Sequence, residues 1–288
     1  NALASVCSVH VHLELDSKQL PVILNLLNRV CWIKALLFSN SFDFFNKMKS
    51  KCYCLRDPIW QESTFSYDKR NSLLIDKDFK SYDEVLLSLL ENSIFCVQRN
   101  DKLIFFKPMA FKEYINRKKI KGYLIQDSEH VEIEVIPEIS DIYFLRPYNP
   151  SVITARGTIE IRSECQQPFP DLMSSLAFHV GLLNNYKEIE ELLKTIDRFV
   201  EKNSTMREKA IFQAYQLQNE LSFDLESFIY EFLLLIKKGL LKRNLNEEIY
   251  LECLFERLKN RENPAIVWVK KIEGGKSLLE VIDEEAQL

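Results

Sequence analysis

From Ser8 to Asp16 apolar and polar positions alternate without a break: Val9, Val11, Leu13 and Leu15 fall on one side, and His10, His12, Glu14 and Asp16 on the other. Successive side chains leave a strand on opposite faces, so this period of two predicts a half-buried strand. The next stretch, KQLPVILNLLNRVCWIKALLF, changes to three- and four-residue spacing. It predicts one long helix capped by Asp16 or Ser17, with Pro21 in its first turn and its end at SNSFD. Residues 43–80 lack a clear period and read as a long irregular connection packing through Tyr53, Trp60, Phe65 and Tyr67. SYDEVLLSLLEN then predicts a short helix capped by Ser81, and SIFCVQRNDKLIFF a hairpin turning at Arg99 to Asp101. AFKEYINRK reads as a helical turn or two, while HVEIEVIPEISDIYFLRPYNP and RGTIEIRSE supply further strand and loop.

Beyond QQPFPD the pattern becomes helical. DLMSSLAFHVGLL, capped by Asp171 and stopped at Asn184 and Asn185, is followed by helical spacing over 186–201, 206–220, 223–242, 246–260 and 276–286, with Asn263 and Pro264 marking another start. No repeat of fixed period runs through the chain. The expected class is α+β: a curved, mostly antiparallel sheet region over 1–170, followed by a helical region over 171–288 packed on it.

Composition narrows the function. The chain has 288 residues, 47% of them hydrophobic, enough for one large core or two modest ones. Its net charge of −4 argues against a nucleic-acid surface, and the one dense basic run, RKKIK at 117–121, lacks interleaved aromatics and reads as a solvated turn. No apolar run reaches the roughly 18–20 residues a bilayer crossing needs. Seven cysteines, an odd number with no CxxC pair, fit badly with a closed disulfide framework and point to a reducing, cytoplasmic setting. The CYC at 52–54 is too close for ordinary zinc spacing.

Candidate chemistry concentrates in RGTIEIRSECQQP. On a strand Arg156, Thr158, Glu160, Arg162 and Glu164 share one face, a charged stripe that is either a wet sheet surface or the floor of a site. His10 and His12 stand about 6.5–7 Å apart on their own strand, which suits two ligands serving a metal and a phosphate, or two adjacent metals, or else two surface histidines. A carboxylate such as Glu160 suits Mg²⁺ or Mn²⁺, and arginines suit phosphate or carboxylate. No P-loop, GxGxxG, nucleophile elbow or HExxH is present, and six glycines leave little for a backbone phosphate cradle. Any ATP must therefore be held by side chains and metal. His130 and His179 read as structural.

The ordered series SVHVHLELD, LFSNSF, CLRDPIW, SIFCVQRNDKLIFFKPMAFKEYI and RGTIEIRSECQQP, then LAFHVGLL, MREKAIFQA and the stretch from LLLIKKGLL to the NPA helix start, resembles glutamate-cysteine ligases of the plant and proteobacterial type. These are relatives of glutamine synthetase among the carboxylate-amine ligases. The resemblance covers nearly the whole chain and corresponds to the C-terminal two thirds of such an enzyme. It implies a glutamine-synthetase-like sheet holding ATP and Mg²⁺, on which the γ-carboxylate of glutamate takes a phosphoryl group and the amine of cysteine displaces it. By motif, Glu160 and His10 are the implied metal ligands. His12, Arg56 and Arg146 are implied to meet ATP or phosphate, and Arg162 and Arg156 the reacting acyl phosphate. Glutamate and cysteine are the implied partners. A homodimer, or N-terminal strands supplied by another segment, would complete the site, and a ligase-like domain that binds nucleotide or a partner without turnover is the alternative.

Overall fold

The computed structural model describes residues 7–44, 51–63, 68–72, 74–126, 129–154 and 157–286. Its strands are β1 (Ser8–Leu13), β2 (Ser93–Arg99), β3 (Lys102–Ala110), β4 (Ile120–Gln126), β5 (Glu129–Val135), β6 (Ser151–Ile153) and β7 (Ile159–Cys165). The α-helices are α1 (Leu20–Arg29), α2 (Cys31–Phe38), α3 (Arg56–Gln61), α4 (Tyr82–Glu91), α5 (Phe111–Ile115), α6 (Leu172–Asn184), α7 (Tyr186–Ile196), α8 (Asn203–Gln213), α9 (Leu225–Leu241), α10 (Glu252–Asn260), α11 (Pro264–Glu273) and α12 (Leu278–Ala286). The chain is α+β, 55% helical and 18% strand.

The strands form two antiparallel sheets, ordered β1-β7-β6 and β2-β3-β4-β5. In the three-stranded sheet β7 is central, with Val11 opposite Ile161 and His12 opposite Glu160 on one flank, and Val152 opposite Glu160 on the other. Ile159, Ile161, Val11 and Leu13 therefore turn into the core, and His10, His12, Glu160 and Arg162 stand on the opposite face. The largest core joins this sheet to α1, α2 and the helices after residue 170, so the boundary at 170 is crossed by packing. The four-stranded sheet has a separate core against α5, built on Ile94, Val97, Ile104, Phe106, Phe111 and Tyr114. Its first hairpin turns through Asn100 and Asp101, both at positive φ as a two-residue hairpin turn requires.

Three local expectations change. The long helix after β1 is two helices bent by 51° at Val30, and its first turn begins at Leu20, with Asp16 closing the preceding turn by accepting from the Lys18 N–H at 2.9 Å. The second half is buried on every side, so a straight amphipathic helix could not have satisfied it. Asp171 precedes α6 without a side-chain cap; its carboxylate instead accepts from Arg257 at 2.7 Å. The expected helix over 206–220 ends at Ala214 (φ 48°, ψ −130°), where the chain tightens into a 3₁₀ turn. Phe65 and Tyr67 lie outside the described residues.

Helices α6 and α9 cross closely because both place glycine at the crossing: a Cβ on Gly239 would lie 2.0 Å from the Gly181 carbonyl oxygen. This contact locks the helical region against the back of the three-stranded sheet through Phe178, Phe232 and Ile236. Among the described residues no single helix is long and apolar enough to cross a membrane.

Candidate functional site

A cleft of about 320 Å³ opens along the polar face of the three-stranded sheet. Glu160 and Arg162 of β7 form one wall, and the segment after β5 carries Arg146 and Tyr148 to the other. Leu89, Ile142, Leu145 and Val152 supply an apolar lining. Such a cleft suits a ligand with an anionic end and an apolar or flat body.

The geometry at Glu160 is specific. Its Oε1 lies 2.9 Å from Nδ1 of His10 and 2.6 Å from Nη2 of Arg162. The hydrogen bond from His10, followed by the Arg162 charge, holds the carboxyl down at about 2 despite partial burial, so it is ionised throughout the physiological range. The Arg162 guanidinium sits 5.2 Å from the Tyr148 ring centroid, and Tyr148 stacks at 4.1 Å on Trp60 of α3. This aromatic pair lies against the guanidinium from the facing wall. The Nε of Arg162 is buried with no hydrogen-bond partner among the described residues.

Arg146 is held differently. It donates to the carbonyls of Tyr143 and Leu145, each at 3.2 Å, and its guanidinium lies 5.8 Å from the Phe144 ring. The 3₁₀ segment just before it (Ile139–Phe144) is anchored by Asp141, which takes two hydrogen bonds from Arg99 at 2.7 Å each and one from the Tyr114 hydroxyl at 2.6 Å. The two cleft arginines thus come from separately braced walls.

The structure brings together Glu160, Arg162, Arg146 and, at the rim, His10. His12 faces the same side but pairs at 3.3 Å with the Thr158 hydroxyl, which in turn meets Thr154 at 2.9 Å. Arg56 does not line the cleft: it is buried at the start of α3, 3.5 Å from Asp57. Arg156 lies outside the described residues. Glu164, which alternation sets on the charged stripe, is fully buried and paired with Lys34 at 3.2 Å and His179 at 3.5 Å. Tyr148 and the Arg99–Asp141 brace went unnoticed in the sequence. Tyr148 had a signal in its position two residues after Arg146; the brace had none, because its members are 42 residues apart.

Glu160 and His10 offer two donors on one side of the cleft, which fits Mg²⁺ shared with substrate phosphates, since that ion is usually held by one or two carboxylates, phosphate oxygens and water. Among the described residues no group of three His, Cys, Asp or Glu side chains could hold a metal ion. No protein-family model and no curated protein matches the chain.

Proposed function

We propose that this chain carries the phosphate-handling floor of an ATP- and Mg²⁺-dependent carboxylate-amine ligase, with glutamate-cysteine ligase as the specific reading. The observation that carries it is the meeting of an ionised carboxylate, Glu160, with Arg162 and Arg146 in one cleft beside the H-x-H strand. Phosphoryl transfer from ATP to a carboxylate crowds negative charge at one point, and it is aided by guanidinium groups fixed in advance around that point. Arg162, its guanidinium against the Tyr148 ring, is suited to grip an acyl phosphate. Arg146 is suited to a second phosphate. Glu160 and His10 would hold Mg²⁺, which supplies charge neutralisation at the transferred group when bound. On this reading the sheet belongs to a glutamine-synthetase-like fold, the amine is cysteine, the setting is the cytoplasm, and further strands complete the glutamate pocket.

The test is phosphate release from ATP with glutamate, with and without cysteine, on this chain and on Glu160→Ala. Glutamate-dependent release that Glu160→Ala abolishes is the expected result. Absence of release together with retained nucleotide binding would replace the proposal by a second reading, a ligase-like domain that binds nucleotide without turnover. That reading draws its support from the lack of a three-ligand metal group among the described residues.

A further inference from the structure

Behind β7, away from the cleft, two thiols face each other in the core. Cys165 Sγ, at the end of β7, lies 3.6 Å from Cys54 Sγ, in the segment leading into α3. Both are almost completely buried, at 2% and 1% exposure. Ser41 Oγ approaches Cys165 Sγ at 3.4 Å, and Asp57 stands 3.6 Å from Cys54 Sγ. Two guanidinium groups, Arg207 and Arg56, adjoin the carboxylate of Asp57. Cys31 is buried nearby, its carbonyl accepting from Arg207 at 2.7 Å.

We propose that Cys165 and Cys54 form a hydroperoxide-sensitive dithiol pair that closes to a disulfide, stapling the 51–57 segment to the end of β7. The inference is independent of the ligase reading, since no cleft residue takes part. Hydrogen bonds from Cys54 and Ser41 lower the Cys165 thiol against the opposing effect of burial, while its bond to Cys165 and burial raise the Cys54 thiol, which makes Cys165 the better nucleophile of the two. The Cys165 thiolate attacks one peroxide oxygen: an S–O bond forms, the O–O bond breaks, and the departing hydroxide takes the proton Cys165 had shed, leaving water. The Cys54 sulfur then attacks the sulfenic sulfur, forming S–S and breaking S–O, and the released hydroxide takes the Cys54 proton. Two thiols and one hydroperoxide give one disulfide and two waters; sulfur is oxidised and the peroxide oxygens are reduced. A disulfide needs sulfurs about 2.05 Å apart, so closure must bring the two sulfurs together from their present 3.6 Å.

The full chain would be treated with hydrogen peroxide, blocked with N-ethylmaleimide under denaturing conditions, and mapped by mass spectrometry, with exposed Cys7 reporting the dose. A Cys54–Cys165 crosslinked peptide, reversed by dithiothreitol and accompanied by a raised Tm, is expected. In Cys54→Ser, dimedone should capture Cys165 as a sulfenic acid that the parent chain does not accumulate. Recovery of both cysteines as free thiols while Cys7 is oxidised, or pairing of either with Cys31 or Cys52, overturns the proposal. The parent mapping decides alone if the variant does not fold.

Discussion

Strand β7 carries two glutamates four residues apart whose carboxyls are both held at about 2, and they serve opposite ends. At Glu160 the stabilising partners, His10 and Arg162, lie on the polar face of the sheet and border the cleft. At Glu164 burial pushes the carboxyl up, and Lys34 and His179, equally buried, more than offset it. The first carboxylate can exchange its protein partners for a metal or ligand because water reaches it. The second cannot, since any loss of a partner strands a charge in the core. A depressed carboxyl therefore marks a functional residue only when its partners face open space.

The sharpest break in that contrast comes from Lys34→Met. Removing the ammonium leaves Glu164 buried without its main counter-charge, and the expected loss is about 3–5 kcal/mol by denaturant unfolding. Lys34→Met combined with Glu164→Leu should regain most of it, because replacing both partners by apolar groups removes the stranded charge. A loss no greater than that of a substitution at exposed Lys102 would show that the triad is not structural.

Acidity separates the members of the triad. Burial favours neutral imidazole at His179 and lowers it to about 4 from the ordinary 6.5. Between those values the unfolded chain binds the proton and the folded chain does not, so stability falls as pH drops from about 6.5 to about 4. Glu164, lowered from 4.5 to about 2, adds stability that is fully present above about 4.5 and is lost as pH falls through about 2. Thermal unfolding across pH should show both descents in the parent chain. His179→Gln should flatten the upper one and leave the lower; an unchanged upper descent would remove His179 from the account.

Much of this was legible in the residues. Alternation from Ser8 to Leu13 and from Ile159 to Arg162 placed two polar stripes on strands, and the fold pairs those strands directly. The convergence of Arg146 on the same cleft was not available from spacing, because it depends on how the 3₁₀ segment docks against a different sheet. The stripe also did not reveal where it goes under cover. Glu164 has the parity of Glu160 and Arg162, yet α2 brings Lys34 onto it and α6 brings His179. One clue existed: Lys34 is the single charge in CWIKALLF, a run otherwise without a polar residue, and an isolated charge in an all-apolar helix needs a buried partner. Arg56 shows the limit of carrying a role by motif, since helix α3 turns it into the ion cluster with Asp57 and Arg207.

The open end of β7 should respond in ligand handling and hardly in stability. Glu160→Gln removes the charge shared by His10 and Arg162 at a position that water reaches, so unfolding free energy should fall by less than in Lys34→Met. A loss matching that of Lys34→Met would erase the distinction between the two glutamates. The smallest stability change is expected from Arg162→Lys, within about 0.5 kcal/mol. The lysine keeps the positive charge but loses both the flat surface that lies over Tyr148 and the second donor edge. On the proposed ligase reading, binding of ATP, followed by calorimetry with Mg²⁺ present, should weaken by about tenfold, corresponding to the loss of one charge-assisted hydrogen bond of about 1.5 kcal/mol. Equal affinity in Arg162→Lys would mean that the cleft senses charge alone, and the directed grip on a phosphoryl group would have to come from Arg146.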